Sequence, residues 1–373
     1  MGKGTHEDVS LLILHLGIQH TYDEIYEEAK KIVPNADIIG CSGAGVIGKE
    51  GPEESTFAIA LMAIKGKEVH VSHVDEIDGR NLREKARNLA ASVKGKSQDI
   101  NMLYYIGNGI DVSNDKVIEG IEEIFGQDIT IFGCTSADTM KAKVNYQFMN
   151  MNTLQKGAIL VGFSDPSLEV FTGATHGFVP KEDTRMEVTK SDANQIIEID
   201  NKPATSVLTD KLKVLENADL GMIIPIGALA EELPDEMQEQ YHNRMILRVI
   251  TRKDDDGSFY STTEVPQGKV LYLTDRDEDA IFQGTDRLAK EIAEKASNRK
   301  PVAVFHADCG ARGKLRGAKV LKEEIANRMQ EPVNQGDSSV PWLGIYGFGE
   351  FAKIGNKNVY HNYTTSLYAI YRK

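Results

Sequence analysis

Polar side chains that could bind a small ligand are concentrated in the last third of the chain, beside three predicted strands. The candidates are Asp308, Cys309, Arg312, Tyr346, Glu350, His361, Asn362 and Thr364. If a sheet brings these strand ends together, Arg312 can pair bidentately with a carboxylate, and Glu350 can accept hydrogen bonds from an ammonium group. The set therefore predicts a binding site for a small zwitterion. The simpler alternative is that Arg312 and Glu350 pair with each other or with solvent.

The cysteines offer two further kinds of chemistry. Cys309 lies three residues after His306, and His361 is another available imidazole. A catalytic thiolate is therefore one alternative, although a cysteine and a histidine alone do not make a dyad. Cys41, Cys134 and Cys309 have no CxxC spacing, so a zinc site would need ligands from distant segments. We favour the interpretation that the cysteines are small buried thiols, and we predict no metal.

Two glycine-rich turns, GCSGAG at 40–45 and YGFGE at 346–350, follow predicted strands. Glycine is expected there because a chain that leaves a buried strand must often adopt a positive φ. Small residues at a strand end also expose backbone N–H groups to a ligand, which makes Ser42 a candidate ligand contact. Neither turn has the Lys-Ser/Thr ending of a Walker A loop or a GxGxxG pattern, so nucleotide binding is not favoured.

The elements that must position these residues form a repeated unit. In the first copy, 11–64, an apolar strand is followed by an amphipathic helix, a strand that runs into the first glycine turn, and a buried strand at 56–64. The same order returns over 101–164, and a third, looser copy closes the chain. A unit of strand, helix, strand and strand predicts an α/β (α+β) fold with mixed β-sheets covered by helices.

The alignment of the copies rests on their glycine turns. Placing Gly40 on Gly133 also aligns the cysteine that follows each of them, and Gly344 takes the equivalent position in the third copy. Because 373 residues exceed one compact core, we expect two domains, 8–190 and 191–373.

Composition limits the classes of function. The formal net charge of −13 repels phosphate backbones and anionic lipid, so we expect neither nucleic acid nor membrane as a partner. Three cysteines cannot form a disulfide framework and fit a reducing compartment, which predicts a cytoplasmic location. The start of the chain lacks the pattern of a signal peptide, and no stretch has the uncharged length of a membrane span. The apolar segment GMIIPIGAL at 221–229 is predicted as a strand instead.

The order of these motifs resembles the FIST N and FIST C sensory domains over nearly the whole chain. IIGCSGAGVI and IFGCTSAD are similar to the N-terminal pattern, and VLYLTDRDEDAI, AVFHADCGARG, LGIYGFGEFA and HNYTT to the C-terminal pattern. The site residues that the resemblance implies are Asp138, Cys309, Arg312, Gly349, Glu350, Asn362 and Thr364. The first turn departs from the family pattern, with Val46 where an acidic residue is common.

The resemblance implies two FIST-type domains that sense a small molecule. Amino acids or their derivatives are the suggested ligands, without a cofactor, and the signal would pass to a separate partner protein. The alternative that it also implies is a haem-binding nitric oxide sensor that regulates a histidine kinase. An axial haem ligand would come from four candidates, His73, His176, His306 and His361. A Cys309-dependent enzyme is a third alternative, and we expect a binding protein rather than an enzyme.

Overall fold

The computed structural model describes residues 6–77, 79–297 and 299–373, and in this part of the chain strands and helices are intermixed throughout. The first strands are β1 (Val9–Gly17), β2 (Asp37–Gly43), β3 (Val46–Gly48), β4 (Gly51–Glu53), β5 (Ile59–Lys65), β6 (Val69–Val74), β7 (Met102–Gly107), β8 (Thr130–Thr135), β9 (Gln147–Met149), β10 (Asn152–Leu154), β11 (Ala158–Phe163) and β12 (Leu168–Thr175). The remaining strands are β13 (Phe178–Pro180), β14 (Met186–Asp192), β15 (Gln195–Ile199), β16 (Lys202–Pro203), β17 (Leu229–Glu232), β18 (Met245–Arg248), β19 (Ile250–Lys253), β20 (Phe259–Ser261), β21 (Val270–Arg276), β22 (Ala303–Cys309), β23 (Trp342–Gly347), β24 (Gly349–Ile354), β25 (Lys357–His361) and β26 (Thr365–Arg372).

The helices are α1 (Tyr22–Ile32), α2 (Leu82–Lys94), α3 (Asn114–Phe125), α4 (Ala204–Leu212), α5 (Leu220–Ile223), α6 (Asp235–Tyr241), α7 (Glu278–Lys295), α8 (Ala318–Lys322) and α9 (Glu331–Val333). A π-helical segment, Glu323–Gln330, joins α8 to α9. The mixture of sheets and covering helices confirms the predicted α+β class. Among the described residues no helix is both long and apolar enough to cross a bilayer.

Three sheets share one internal arrangement, in which a central strand pairs with a parallel neighbour on one side and an antiparallel neighbour on the other. In the first sheet β1 lies between β2 and β5, in the second β7 lies between β8 and β11, and in the third β22 lies between β23 and β26. We refer to these as units one, two and three. Together they form what we call the three-unit body.

Each unit extends the sheet of another unit. The β3–β4 hairpin of unit one pairs with β23, β9–β10 of unit two pairs with β2, and β24–β25 of unit three pairs with β8. Through this cyclic exchange of hairpins, strands from the start of the chain form hydrogen bonds with strands near its end. The units share one core, in which the rings of Tyr104 and Phe132 pack against Phe305, with centroids 4.8 and 5.5 Å from it.

A separate sheet is inserted between units two and three. Its strands follow the order β18-β17-β21-β14-β15-β20-β19 and cover a core of their own. The boundary that the sequence suggested at residue 190 falls inside β14. The sheets of the three-unit body draw strands from both sides of that boundary, because unit three pairs with units one and two.

Two of the predicted strands differ in the structure. The strand predicted as buried at 56–64 is the edge strand β5, where Ile59 and Leu61 are 44% and 59% exposed while Ala60 and Met62 are buried. The alternation shows that one face of β5 packs against the core and the other is in contact with solvent. The segment 221–229 was predicted as one strand, which is wrong, because Asp219 caps helix α5 by accepting a hydrogen bond from Met222 N at 2.9 Å.

Candidate functional site

The glycine turns of the three units meet at the carboxyl ends of their parallel strands. Ala137 N donates to Ser42 O at 2.9 Å, which joins the turns of units one and two. Ala44 N donates to Tyr346 O at 2.9 Å, which joins unit one to unit three. The backbones approach so closely that the turns satisfy one another's polar groups, and small residues are required for this packing.

The aligned glycines occupy the same register in their sheets. Gly40 is opposite Leu14, Gly133 opposite Tyr105 and Gly344 opposite His306, always on the neighbouring parallel strand. A Cβ atom at Gly40 or Gly133 would lie within 2 Å of the facing carbonyl oxygen, at 1.8 and 1.9 Å respectively. Close strand approach therefore accounts for these glycines without a ligand.

Arg312 lies at the centre of a buried ionic network next to these turns. Its Nη1 donates to Asp308 Oδ2 at 3.1 Å, its Nη2 to Glu324 Oε1 at 2.5 Å, and its Nε to the carbonyl oxygen of His176 at 3.2 Å. Arg316 pairs with the other oxygen of Glu324. The network has two cations against two carboxyl groups, and each of the three guanidinium nitrogens of Arg312 has a partner within the protein.

Glu350 is the most unusual polar group of the site. Its side chain is fully buried on β24, and neither carboxyl oxygen makes a hydrogen bond of good geometry to a described residue, although the backbone N–H of Thr364 is near enough to favour the charged form. Burial raises the pKa of Glu350 well above its usual value, and nearby Asp308 adds to the effect. Burial therefore favours the protonated form of Glu350 in the folded protein.

Other buried polar atoms nearby also lack partners in this part of the chain. Asp308 Oδ1, the Tyr346 hydroxyl and His361 Nε2 make no hydrogen bond to a described residue. Burial raises the pKa of Asp308 to about 7, although Arg312 opposes the shift. Gly313 leaves the space beside these groups open, since a Cβ there would lie 2.7 Å from the Tyr346 ring and 2.9 Å from Asp308 Oδ1.

Asn362 and Thr364 join this cluster to the inserted sheet. Thr262 Oγ1 donates to Asn362 Oδ1 at 2.5 Å, and Asn362 Nδ2 donates to Phe348 O at 3.0 Å. The hydroxyl of Thr364 donates to the carbonyl oxygen of Asn362 at 2.8 Å. Both side chains therefore hold the loop before β26 between the three-unit body and the insertion.

The remaining predicted site residues make local structural contacts. Ser42 Oγ donates to Ala137 O at 2.8 Å and accepts from Tyr146 N at 2.9 Å. The Asp138 carboxylate accepts hydrogen bonds from four successive backbone N–H groups, those of residues 141–144. Gly349 faces Tyr360 so closely that a Cβ would lie 1.8 Å from its hydroxyl. Ser42 and Asp138 thus have no polar atom left that faces Glu350.

Cys309 lies at the edge of the cluster beside a small cavity. The cavity measures about 30 Å³, room for a water molecule or two, and its lining includes Met140, Ile224 and Phe348. Burial raises the pKa of the Cys309 thiol well above its usual value. His306 is not placed to serve it as a base, because the two residues are three positions apart on β22 and side chains at that spacing face opposite sides of a sheet. His306 Nε2 contacts Thr365 Oγ1 at 2.8 Å instead. This geometry does not suit a nucleophilic thiolate.

The four candidate histidines do not form a haem site in this arrangement. Both ring nitrogens of His176 are used, by Met245 O at 3.0 Å and Phe178 N at 2.9 Å. His361 Nε2 is without a partner among the described residues, but the side chain is completely buried. The clefts of about 710 and 880 Å³ at the margins of the insertion are lined by none of His73, His176, His306 and His361. These residues therefore do not fit haem as they stand.

Sequence reasoning missed Glu324, the partner that Arg312 and Arg316 share. Burial opposes ionisation of this carboxyl, but the two guanidinium groups outweigh it and lower the pKa of Glu324. Thr285 on α7 also donates to Glu324 Oε1, at 2.8 Å. The only sequence signal for Glu324 was the run KEEI at 322–325, whose pattern is typical of the exposed face of a helix.

Comparisons with known proteins cover nearly the whole chain. A family model described as the FIST N domain matches residues 10–202, and one described as the FIST C domain matches residues 204–353. No curated protein matches the chain.

Proposed function

The chain belongs to the FIST family of signal-transduction sensor domains, and from this premise we propose that it senses an amino acid or a closely related small zwitterion. The family membership supplies the role of sensor. The class of ligand is inferred from the buried polar cluster around Glu350. No catalytic turnover is part of the proposal.

The observation that supports this ligand class is the set of buried oxygen atoms without partners, which become acceptors for a cation when Glu350 releases its proton to bind it. Glu350 has two such oxygens and Asp308 has one, and the Tyr346 hydroxyl is close to Asp308. A buried polar group without a hydrogen bond costs about 1–3 kcal/mol, so a ligand that brings N–H donors to these atoms gains that energy back. An ammonium group has three donors and suits two neighbouring carboxyl groups.

The carboxylate of the ligand needs a cation that still has nitrogen atoms without hydrogen-bond partners. Arg312 is fully partnered by Asp308, Glu324 and His176 O, and its role in the proposal is to position Asp308. Arg316 shares Glu324 with it, and Nε and Nη2 of Arg316 lack partners among the described residues although the side chain is 2% exposed. We assign the carboxylate to Arg316.

Ligand entry requires the three-unit body and the insertion to separate locally. The cavity beside Cys309 is too small for an amino acid, and the cluster lies under contacts between these two parts. Those contacts are Thr262 to Asn362, Arg248 Nη1 to Tyr360 O at 3.0 Å, and Tyr363 hydroxyl to Ile224 O at 2.9 Å. A ligand that binds one arrangement better shifts the population toward it, and a separate partner protein such as a histidine kinase would recognise that arrangement. The free cysteines suit a reducing compartment such as the cytoplasm.

A thermal-shift screen of amino acids, polyamines and haem tests the proposal. A ligand at 100 times its Kd stabilises the folded state by about 2.7 kcal/mol, which raises the melting temperature measurably. The hit is then measured by calorimetry on Glu350→Gln and on Glu27→Gln, an exposed control. We expect Glu350→Gln to weaken binding at least tenfold and Glu27→Gln to leave it unchanged. If no zwitterion shifts the melting temperature, or if haem alone binds with a Soret band, the proposed ligand class is wrong.

A further inference from the structure

A second buried cluster, apart from the Glu350 site, lies in the shared core of the three-unit body. It consists of His15 on β1, Cys41 on β2 and Cys134 on β8. A ring nitrogen of His15 and the two sulfur atoms all lie within 4.8 Å of one another. The three side chains are at most 1% exposed. The sequence predicted no metal because these segments are distant along the chain, and the fold brings them together.

The hydrogen bonds of His15 prepare it to act as a ligand. Its Nδ1–H donates to Gly344 O at 3.0 Å, which leaves a lone pair on Nε2. That lone pair accepts a hydrogen bond from the Tyr104 hydroxyl at 3.0 Å. Burial lowers the pKa of His15 to about 4, so the imidazole is neutral at physiological pH. A neutral imidazole held through its second nitrogen by a carbonyl is the usual form of a histidine ligand.

We propose that His15, Cys41 and Cys134 bind a thiophilic d10 ion, Zn(II) or Cu(I), through Nε2 and two thiolates. Ligand atoms around zinc lie about 3.3–3.8 Å from one another, as follows from metal distances of about 2.0–2.3 Å, so side chains within 4.8 Å need only a small adjustment. Sulfur and imidazole ligands select these soft ions over Mg²⁺ or Ca²⁺. Three ligands satisfy Cu(I). An ion on Nε2 displaces the hydrogen bond from Tyr104, whose oxygen, 3.0 Å from Nε2, is then a candidate fourth ligand for Zn(II).

Charge balance favours binding in this apolar core. The two thiols release two protons when the ion binds, and two thiolates neutralise Zn(II) completely or leave one negative charge with Cu(I). Burial raises the pKa of the Cys41 thiol well above its usual value, so without an ion this thiol is expected to remain protonated. Because the three side chains are buried, we expect the ion to be taken up while units one and two come together.

Metal content of the full chain tests this site. The wild type and the variants Cys41→Ser, Cys134→Ser and Cys309→Ser are produced with zinc or copper in the medium and purified under reducing conditions without chelator. Mass spectrometry of the metal should give one ion per chain in the wild type and in Cys309→Ser, the thiol outside the cluster. Cys41→Ser and Cys134→Ser should retain less than about a tenth of that amount.

A second measurement covers variants that fail to fold. Wild-type protein is unfolded with chelator, refolded with Zn(II), Cu(I) or no ion, and then melted. A higher melting temperature with one ion, together with one bound ion per chain, supports the site and identifies the metal. A wild type that holds less than a tenth of an ion after both procedures, or folded Cys41→Ser and Cys134→Ser variants that keep it, would overturn the proposal. Ligand binding at Glu350 is measured separately, so failure of one proposal is distinguishable from failure of the other.

Discussion

Arg312 Nη1 lies 3.1 Å from Asp308 Oδ2, and both side chains are completely buried. The guanidinium that the sequence offers to a ligand is therefore already paired inside the protein, with Glu324 as its second partner. This pairing makes Arg312 a determinant of stability, whether or not a ligand is present. It also explains how Asp308 keeps a carboxyl oxygen turned away from the network, toward the space beside Gly313.

Replacement of Arg312 by alanine should lower the free energy of unfolding by about 3–5 kcal/mol, because Asp308 and Glu324 would remain buried without their shared counter-charge. Urea unfolding at pH 7 measures the loss. Arg185→Ala is the control, since Arg185 is an exposed cation 3.5 Å from Glu187 and its loss should cost less than about 1 kcal/mol. Equal losses in the two variants would contradict a structural role for Arg312.

The pH dependence of stability between pH 7 and 8 should report on Glu350. Because the pKa of Glu350 is raised well above its usual value, the folded protein keeps a proton that the unfolded chain has lost. Stability therefore falls as pH rises above the unfolded pKa, by up to about 1.4 kcal/mol per pH unit. Asp308 has a pKa of about 7 and adds little to the slope above that pH.

Glu350→Gln should remove most of this slope, because glutamine is neutral in both states. Urea unfolding at several pH values gives the free energies, and Glu27→Gln, on the exposed face of α1, should keep the wild-type slope. A Glu350→Gln variant that loses stability with pH as steeply as the wild type would show that the carboxyl is already ionised in the folded state.

The acid side of the profile should be governed by buried histidines. Burial lowers the pKa of His306 and His361 to about 3 and that of His176 to about 4, so the folded protein keeps these rings neutral. The unfolded chain takes up protons below about pH 6.5, and the contribution of each ring to stability is lost as pH falls from there toward the folded pKa. We expect His361→Gln to reduce the loss of unfolding free energy between pH 6 and 5 by roughly 1 kcal/mol, which is the contribution of one proton taken up by the unfolded chain alone.

The matched control is His73→Gln, because that ring is exposed to water in the folded chain. The slope with pH is compared rather than the absolute stability, since His361 also packs against Tyr241. Identical slopes in His361→Gln and the wild type would show that His361 is protonated in the folded state.

The strand order within each unit could be predicted from the sequence because it depends on local patterns. Apolar runs that end in glycine turns indicated the parallel pairs, and the alignment of Gly40 with Gly133 has the same register in both sheets. The motif order also predicted the FIST family, which the family models confirm. These features need only neighbouring segments, so no long-range packing had to be known.

Contacts between units could not be predicted in the same way. The meeting of Cys41 with Cys134 depends on how two sheets pack around one core, and no spacing along the chain encodes it. The exchanged hairpins and the pairing of Arg312 with Glu324 have the same origin. The structure places Asp308 and Arg312 near Glu350, whereas the sequence did not indicate the partner of the guanidinium. That this cluster binds a ligand stays a prediction.

Gly133→Ala should test the close strand approach that the turns require. Gly133 has φ of 140°, a conformation that side chains disfavour, and a Cβ there would lie 1.9 Å from Tyr105 O. The backbone of β7 or β8 would have to move, and we expect a loss of at least about 3 kcal/mol or failure to fold, as for other overpacked or strained sites. Gly48→Ala is the control, because its Cβ would meet nothing within 4 Å. Thermal unfolding of the two variants compares them, and a Gly133→Ala protein as stable as Gly48→Ala would mean that β7 and β8 are not held at this separation.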